Sequence, residues 1–218
     1  MNLIDYGRIL VRRGWIMLLL AALAAVSAYL ISTRITPVYR ATQLILIQPS
    51  RNDLGLTDAT QRLINSYVVY LQSTARAQEV IDALRLDYEA GDLASNVTIQ
   101  ASRDNLTVQI DVDLGDPADA GRVANEWGNI LVRYQEVANQ TRRQEDRISA
   151  ILPDGAKVGL LRPRPGLNAA IGAVAGLLVG GVIVFALEFL ESSIIRRRED
   201  VERALEIPVL ATIPEGTK

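Results

Sequence analysis

The chain of 218 residues contains no cysteine and no histidine. Disulfides, thiolate and imidazole metal sites, cysteine nucleophiles and every histidine-based triad are therefore excluded before any motif is read. Lysine is scarce: Lys157 and Lys218 are the only two, and neither stands in a recognisable serine–lysine motif. Charge of one sign is lacking as well, because 23 Lys+Arg against 25 Asp+Glu leave a formal net charge of -2. No overall field draws the chain to nucleic acid. Aromatics are only 5%, yet 49% of residues are hydrophobic, too many for a chain whose main state is disordered. The missing thiols leave the redox compartment open, so topology has to come from hydropathy.

Two long apolar runs supply it. Trp15 to Ile31 is free of charge over 17 residues, and Leu167 to Leu187 has Asn168 as its only strongly polar residue. At about 1.5 Å per residue, roughly 20 residues cross a hydrocarbon core of about 30 Å, so both runs are expected to span a membrane. A secretory signal peptide competes for the first, with Arg8, Arg12 and Arg13 as its basic region and Val26-Ser27-Ala28 as a cleavage site; the apolar stretch is long for that reading. Arg8, Arg12 and Arg13 outnumber Arg34 and Arg40 across the first span, and Arg196, Arg197, Arg198 and Arg203 outweigh Lys157, Arg162 and Arg164 across the second. Both comparisons place the termini in the cytoplasm. The expected organisation is a cytoplasmic segment 1–14, a first span 15–33, an extracytoplasmic domain 34–165, a second span 166–188 and a cytoplasmic juxtamembrane tail 189–218.

Gly172, Gly176 and Gly180 recur every four residues, so three positions without side chains share one stripe of the second helix. Another helix could approach closely there, either the Ala-rich first span (Ala21, Ala24, Ala25, Ala28) or another subunit. Glu188, near the end of this span, reads as an interfacial residue beside Arg196 to Arg198.

Between the spans, Val38 to Gln48 is rich in β-formers and halts at Pro49. Apolar residues at helical spacing follow, first Leu63, Ile64, Tyr67, Val68 and Leu71, then Ala77, Val80, Ile81 and Leu84. Asn96 to Ala101 and Leu106 to Leu114 flank Arg103-Asp104-Asn105 and predict a half-buried hairpin. Asp116 as N-cap and Pro117 at the first helical position open a helix bearing Val123, Trp127, Ile130, Leu131, Tyr134 and Val137. Thr141 to Arg147 reads as a solvated helix end or loop, and Ala156 to Leu161 as a last short strand before the stiff element carrying Pro163 and Pro165. The order β-α-α-β-β-α-β predicts an α+β domain whose first and last strands lie near each other, since both lead into spans.

Candidate chemistry is sparse. Asp111-Val112-Asp113 has the spacing with which sugar transferases hold a metal diphosphate, but strand alternation puts both carboxylates on a polar face expected to be solvated. The chain's last residues, Gly216-Thr217-Lys218, do not form a phosphate-binding loop. No catalytic, cofactor or metal residue is assigned. The cytoplasmic tail says more: a basic cluster is followed by a short helix-like stretch with Val201, Ala204 and Leu205 on one face, ended by Pro208. Val209 to Ile213 is then β-like with nothing in the tail to pair with, which implies a partner.

At this tail the sequence resembles the chain-length determinant, or polysaccharide co-polymerase, family of Wzz/Wzc type, and in particular the membrane module of bacterial tyrosine autokinases. The residues that carry the resemblance are Glu188, Glu191, Ser193, Ile194, Arg197, Asp200, Val201, Glu202, Leu205, Ile207, Pro208, Val209, Leu210, Ile213 and Pro214. Asp5-Tyr6, Arg12-Arg13-Gly14-Trp15, Pro37-Val38-Tyr39-Arg40-Ala41, Asp116-Pro117 and the Pro163/Pro165 element look like the family's pattern elsewhere. The central domain is too short for the helical stalk of the larger members, and the chain stops near where single-chain members enter their P-loop kinase. The resemblance implies a split form: a non-enzymatic, self-associating adaptor in the bacterial cytoplasmic membrane that controls capsular or exopolysaccharide chain length. Its implied partners are membrane lipid, further copies of itself, a polysaccharide polymerase and export machinery, and a separate cytoplasmic P-loop tyrosine kinase. No cofactor and no nucleic acid are implied. The implied kinase contact is Arg196, Arg197, Arg198, Asp200, Val201, Glu202, Leu205, Ile207, Pro208, Val209, Leu210, Ile213 and Pro214. Two rival readings are a receptor-like sensor with a ligand-binding external domain and a sugar-transfer enzyme built on Asp111 and Asp113.

Overall fold

The computed structural model describes residues 3–51 and 54–192. Its elements are α1 (Leu3–Thr33), β1 (Val38–Pro49), α2 (Leu54–Leu71), α3 (Thr74–Leu84), α4 (Ala90–Ser95), β2 (Val97–Ser102), β3 (Thr107–Leu114), α5 (Pro117–Gln140), β4 (Ile148–Ile151), β5 (Lys157–Arg162) and α6 (Pro165–Ser192), with a 3-10 turn at Gln144–Asp146. The fold is α+β, with a sheet domain between two apolar helices. Two elements correct the expected order. The six residues of α4 and the four of β4 are too short to show a hydrophobic period, and neither was expected.

The chain divides into two compact units, one holding α1 and α6 and the other running from Ile35 to Arg164. In the central unit β1 is the axis of an antiparallel sheet. Twelve residues of strand extend about 40 Å, long enough for β3 to run along one side while β5 and β4 share the other end to end. Val38 faces Arg162 and Thr42 faces Lys157, so the first and last strands are neighbours, as their attachment to the two apolar helices requires. The hairpin β2–β3 closes the far edge, with Val97 opposite Val112 and Ser102 opposite Thr107.

Alternation separates the two faces of the sheet. Ala41, Gln43, Ile45 and Ile47 of β1 and Val108, Ile110, Val112 and Leu114 of β3 are buried, packed with residues of α2, α3 and α5. Helix α5 starts as its sequence dictates: the Asp116 carboxylate accepts from the backbone N–H of Ala118 at 2.6 Å and of Asp119 at 3.2 Å, with Pro117 at the first position. Trp127 anchors it, 1% exposed, and donates its indole N–H to the Leu71 carbonyl at 3.0 Å. Gly128 lets α5 sit close to the sheet: a β-carbon there would stand 3.2 Å from Gln43 Cγ of β1, and 2.9 Å from Leu152 Cδ2 beyond β4.

In the other unit, Arg12–Thr33 and Pro165–Leu190 are each long and apolar enough to cross a membrane. Only 6% and 17% of their apolar windows are buried, unlike the helices of a soluble core. Pro165 is the first residue of α6, the position proline tolerates best.

Candidate functional site

The glycine stripe of α6 lies against α1. A β-carbon on Gly172 would stand 2.8 Å from Ala28 Cβ and 2.9 Å from the Ala24 carbonyl oxygen. On Gly176 it would stand 2.6 Å from the Leu20 carbonyl oxygen and 2.8 Å from Ala21 Cα, and on Gly180 2.8 Å from Met17 Cα. No side chain fits in those gaps. Gly166, off the stripe, has nothing within 4 Å. Ala24 and Ala28 are two of the small residues of the first apolar run, so both helices contribute small surfaces to the seam.

Polar pairs close both ends of the seam. The Asn168 amide donates to Ser32 Oγ at 2.7 Å, and Ser32 is 2% exposed. At the opposite end Arg13 Nε lies 3.6 Å from Glu188 Oε2, with side chains 14% and 24% exposed. Asn168, Gly172, Gly176, Gly180, the fully buried Val184 and Glu188 form a single four-residue row. Glu188 was read as an interfacial residue beside the arginines that follow it; the structure adds Arg13 of the other helix as a partner. The row was legible in the spacing, since Asn168 and Glu188 continue the glycine register in both directions, but neither pair was foreseen.

On the sheet, the aspartates of the D-x-D are spent. Asp113 accepts two hydrogen bonds from its cross-strand partner Arg40, from Nε and Nη2, both at 2.6 Å. This pairing, more than any other factor, raises the Arg40 pKa above its ordinary value. Asp111 accepts from Thr42 Oγ1 at 2.6 Å and from the Gln109 amide at 3.0 and 3.1 Å. The expected solvated face is corrected here: Asp111 is 5% exposed, because register places Thr42 directly opposite it and Gln109 two residues along the same face. Among the described residues there is no cluster of three or more histidine, cysteine or acidic side chains that could hold a metal. Pro163 follows β5 directly, and Pro165 is the first residue of α6. The residues assigned to kinase contact, Arg196 to Pro214, lie outside the described residues.

The described residues thus hold a sheet domain whose paired carboxylates are engaged in cross-strand bonds, and two helices long and apolar enough to cross a membrane. Residues 1–84 match the family described as Wzz: Chain length determinant protein. The chain is 27% identical over 214 residues to the probable capsular polysaccharide biosynthesis protein YwqC of Bacillus subtilis (strain 168), covering 91% of this chain and 81% of that protein. It is 26% identical over 228 residues to the capsular polysaccharide biosynthesis protein CpsC of Streptococcus pneumoniae, covering 100% and 95%. To the capsular polysaccharide type 8 biosynthesis protein cap8A of Staphylococcus aureus it is 23% identical over 184 residues, covering 82% and 81%. The chain is thus similar along its length to capsular polysaccharide biosynthesis proteins, and over residues 1–84 to the Wzz-type chain length determinant proteins.

Proposed function

We propose that this protein is a non-enzymatic membrane regulator of capsular or exopolysaccharide polymerisation and export, which sets chain length and activates a separate cytoplasmic tyrosine kinase through its tail. The observation that carries this reading is similarity along 91% and 100% of the chain to two capsular polysaccharide biosynthesis proteins, together with the chain length determinant match over residues 1–84. The helix pair supports a two-span anchor. In that arrangement the termini are cytoplasmic, the central domain faces outward, and further copies of the chain and the polymerase and export machinery are its partners. Gly172, Gly176 and Gly180 hold the anchor together, and Pro163 and Pro165 form the proline element that precedes the second span.

The test is the gel size distribution of surface polysaccharide from cells lacking the protein, complemented with the full chain or with a version ending at Arg198. Restoration by the full chain alone supports both the regulator and the role of residues 199–218. A polymer indifferent to the deletion overturns the reading. Changing Val201, Leu205 and Ile207 to Asp should abolish co-purification of the kinase while membrane insertion is retained; unchanged co-purification would remove the adaptor role.

A further inference from the structure

Charge is segregated along the central unit. Residues 35–40 and 155–164, the stretches next to the two apolar helices, hold four basic residues and no acid, whereas residues 41–154 hold ten basic and 17 acidic. Arg40 is committed to Asp113, and Lys157 makes only a 3.8 Å contact with Asp154. Arg162 and Arg164 are exposed and have no ion-pair partner among the described residues. Apolar side chains accompany them, with Ile35 50%, Val158 43% and Leu160 50% exposed. Arg40, Thr42, Lys157, Gly159, Leu161 and Arg164 line a shallow depression of about 330 Å³ on the open side of the sheet.

Only residues 163 and 164 separate β5 from α6. Two residues extend about 7 Å at most, and the headgroup layer on each side of a bilayer is about as thick. Where α6 crosses a membrane, Arg162 and Arg164 lie within three residues of its start, close enough in the chain to reach the headgroup layer. A negative surface attracts this basic stretch and repels the acidic remainder.

We propose that the basic end of the central domain, Lys157, Arg162 and Arg164 around the exposed Val158 and Leu160, docks on the headgroups of anionic phospholipid in the leaflet it faces. The inference rests on the two-span reading. Because the chain has no cysteine, Thr36→Cys in the full-length protein gives a single labelling site on an exposed residue beside this surface. The labelled protein is reconstituted in phosphatidylcholine vesicles with a low fraction of quencher carried on the headgroup of either phosphatidylglycerol or phosphatidylcholine. Quenching by the phosphatidylglycerol probe should exceed that by the phosphatidylcholine probe severalfold, each basic residue near an anionic surface being worth roughly fivefold in affinity. The ratio should fall to about one in K157Q/R162Q/R164Q. A ratio of one in the parent, or a preference unchanged in the triple variant, overturns the proposal. Loss of the preference on adding soluble acidic polysaccharide overturns it too, by assigning the surface to the polymer. Release of the protein by alkaline carbonate would sink the two-span reading and the inference with it; retention with a ratio of one sinks the inference alone.

Discussion

The two units obey opposite packing rules. In the central domain the large apolar side chains face inward: Trp127, Ile45, Ile110 and Leu131 are at most 1% exposed, and of the polar residues of β1 and β3 Thr42, Asp111 and Asp113 stand on the opposite face while Gln43 is buried. In the helix pair the seam is made of glycine and alanine, while Leu18, Leu23, Leu178 and Val182 are 61 to 70% exposed. Water explains the first pattern, since each buried large side chain contributes about 1.5–3 kcal/mol. Lipid explains the second, because hydrocarbon tails are as apolar as leucine and leave close backbone approach and a few polar contacts to hold helices together. Sorting residues by what surrounds them, rather than by how hydrophobic they are, is what makes both units intelligible.

The sharpest way to break the contrast is to remove a large side chain from one unit and add one to the other. Trp127→Ala deletes the main anchor of α5 together with its bond to the Leu71 carbonyl, and is expected to lower the stability of the central domain by about 3–5 kcal/mol. Hydrogen exchange of the full chain in micelles should show loss of protection across α5 and the sheet with the helix pair unchanged. The inverse change is Gly176→Leu, which has no room at 2.6 Å from the Leu20 carbonyl oxygen and should cost about 1–3 kcal/mol of helix-pair stability. The pair S32C/N168C, which replaces two hydrogen-bonded side chains, reports on it. A short bifunctional reagent should cross-link the two cysteines, with a yield that falls in G176L and stays high in G166L. Equal yields would mean that the seam does not determine the approach of the helices.

Much of the first unit and most of the second could be read in the sequence, for a physical reason: each long element has a solvent that imposes a period. Asp116-Pro117 named the start of α5, and the alternation of Leu106 to Leu114 named β3. Elements shorter than two turns or five strand residues carry no period, so α4 and β4 were invisible. Of the two carboxylates only Asp111 departs from the expected solvated face, because strand alternation says which face a residue occupies and not what stands opposite. Only the register of β1 against β3 supplies Arg40 and Thr42. Asn168 and Glu188 were noted singly; the row joining them to the glycines lay in plain arithmetic, but their partners on α1 required the fold.

A smaller effect tests whether those cross-strand bonds matter. Arg40→Gln leaves the Asp113 carboxylate without its two bonds, and because both groups are partly exposed, at 39% and 22% of the side chain, the expected loss is only about 1 kcal/mol. A denaturant midpoint lowered by that amount, restored in part by the double variant R40Q/D113N, would establish the coupling. An unchanged midpoint would mean that water replaces the guanidinium freely.

The weakest contrast in stability is also the most selective. Tyr67 is 4% exposed on α2, and its hydroxyl has no hydrogen-bond partner among the described residues, beside the buried Gln135 of α5. Burial pushes its pKa above the ordinary 10.0, against a lesser opposing pull from Gln135 and Arg142. In the unfolded chain the hydroxyl ionises first as pH rises past 10, while in the folded domain it must stay neutral. The contribution is therefore complete below pH 10 and is lost as pH rises toward the folded value. Tyr67→Phe removes a hydroxyl whose polar neighbours Gln135 and Arg142 stand outside close hydrogen-bond geometry, so it should change stability little at neutral pH. Above pH 10 the variant should lose less stability than the parent, the other six tyrosines titrating alike in both. Parallel stability curves through that range would show that water reaches the α2–α5 seam, and that this part of the domain is less dry than its side-chain burial implies.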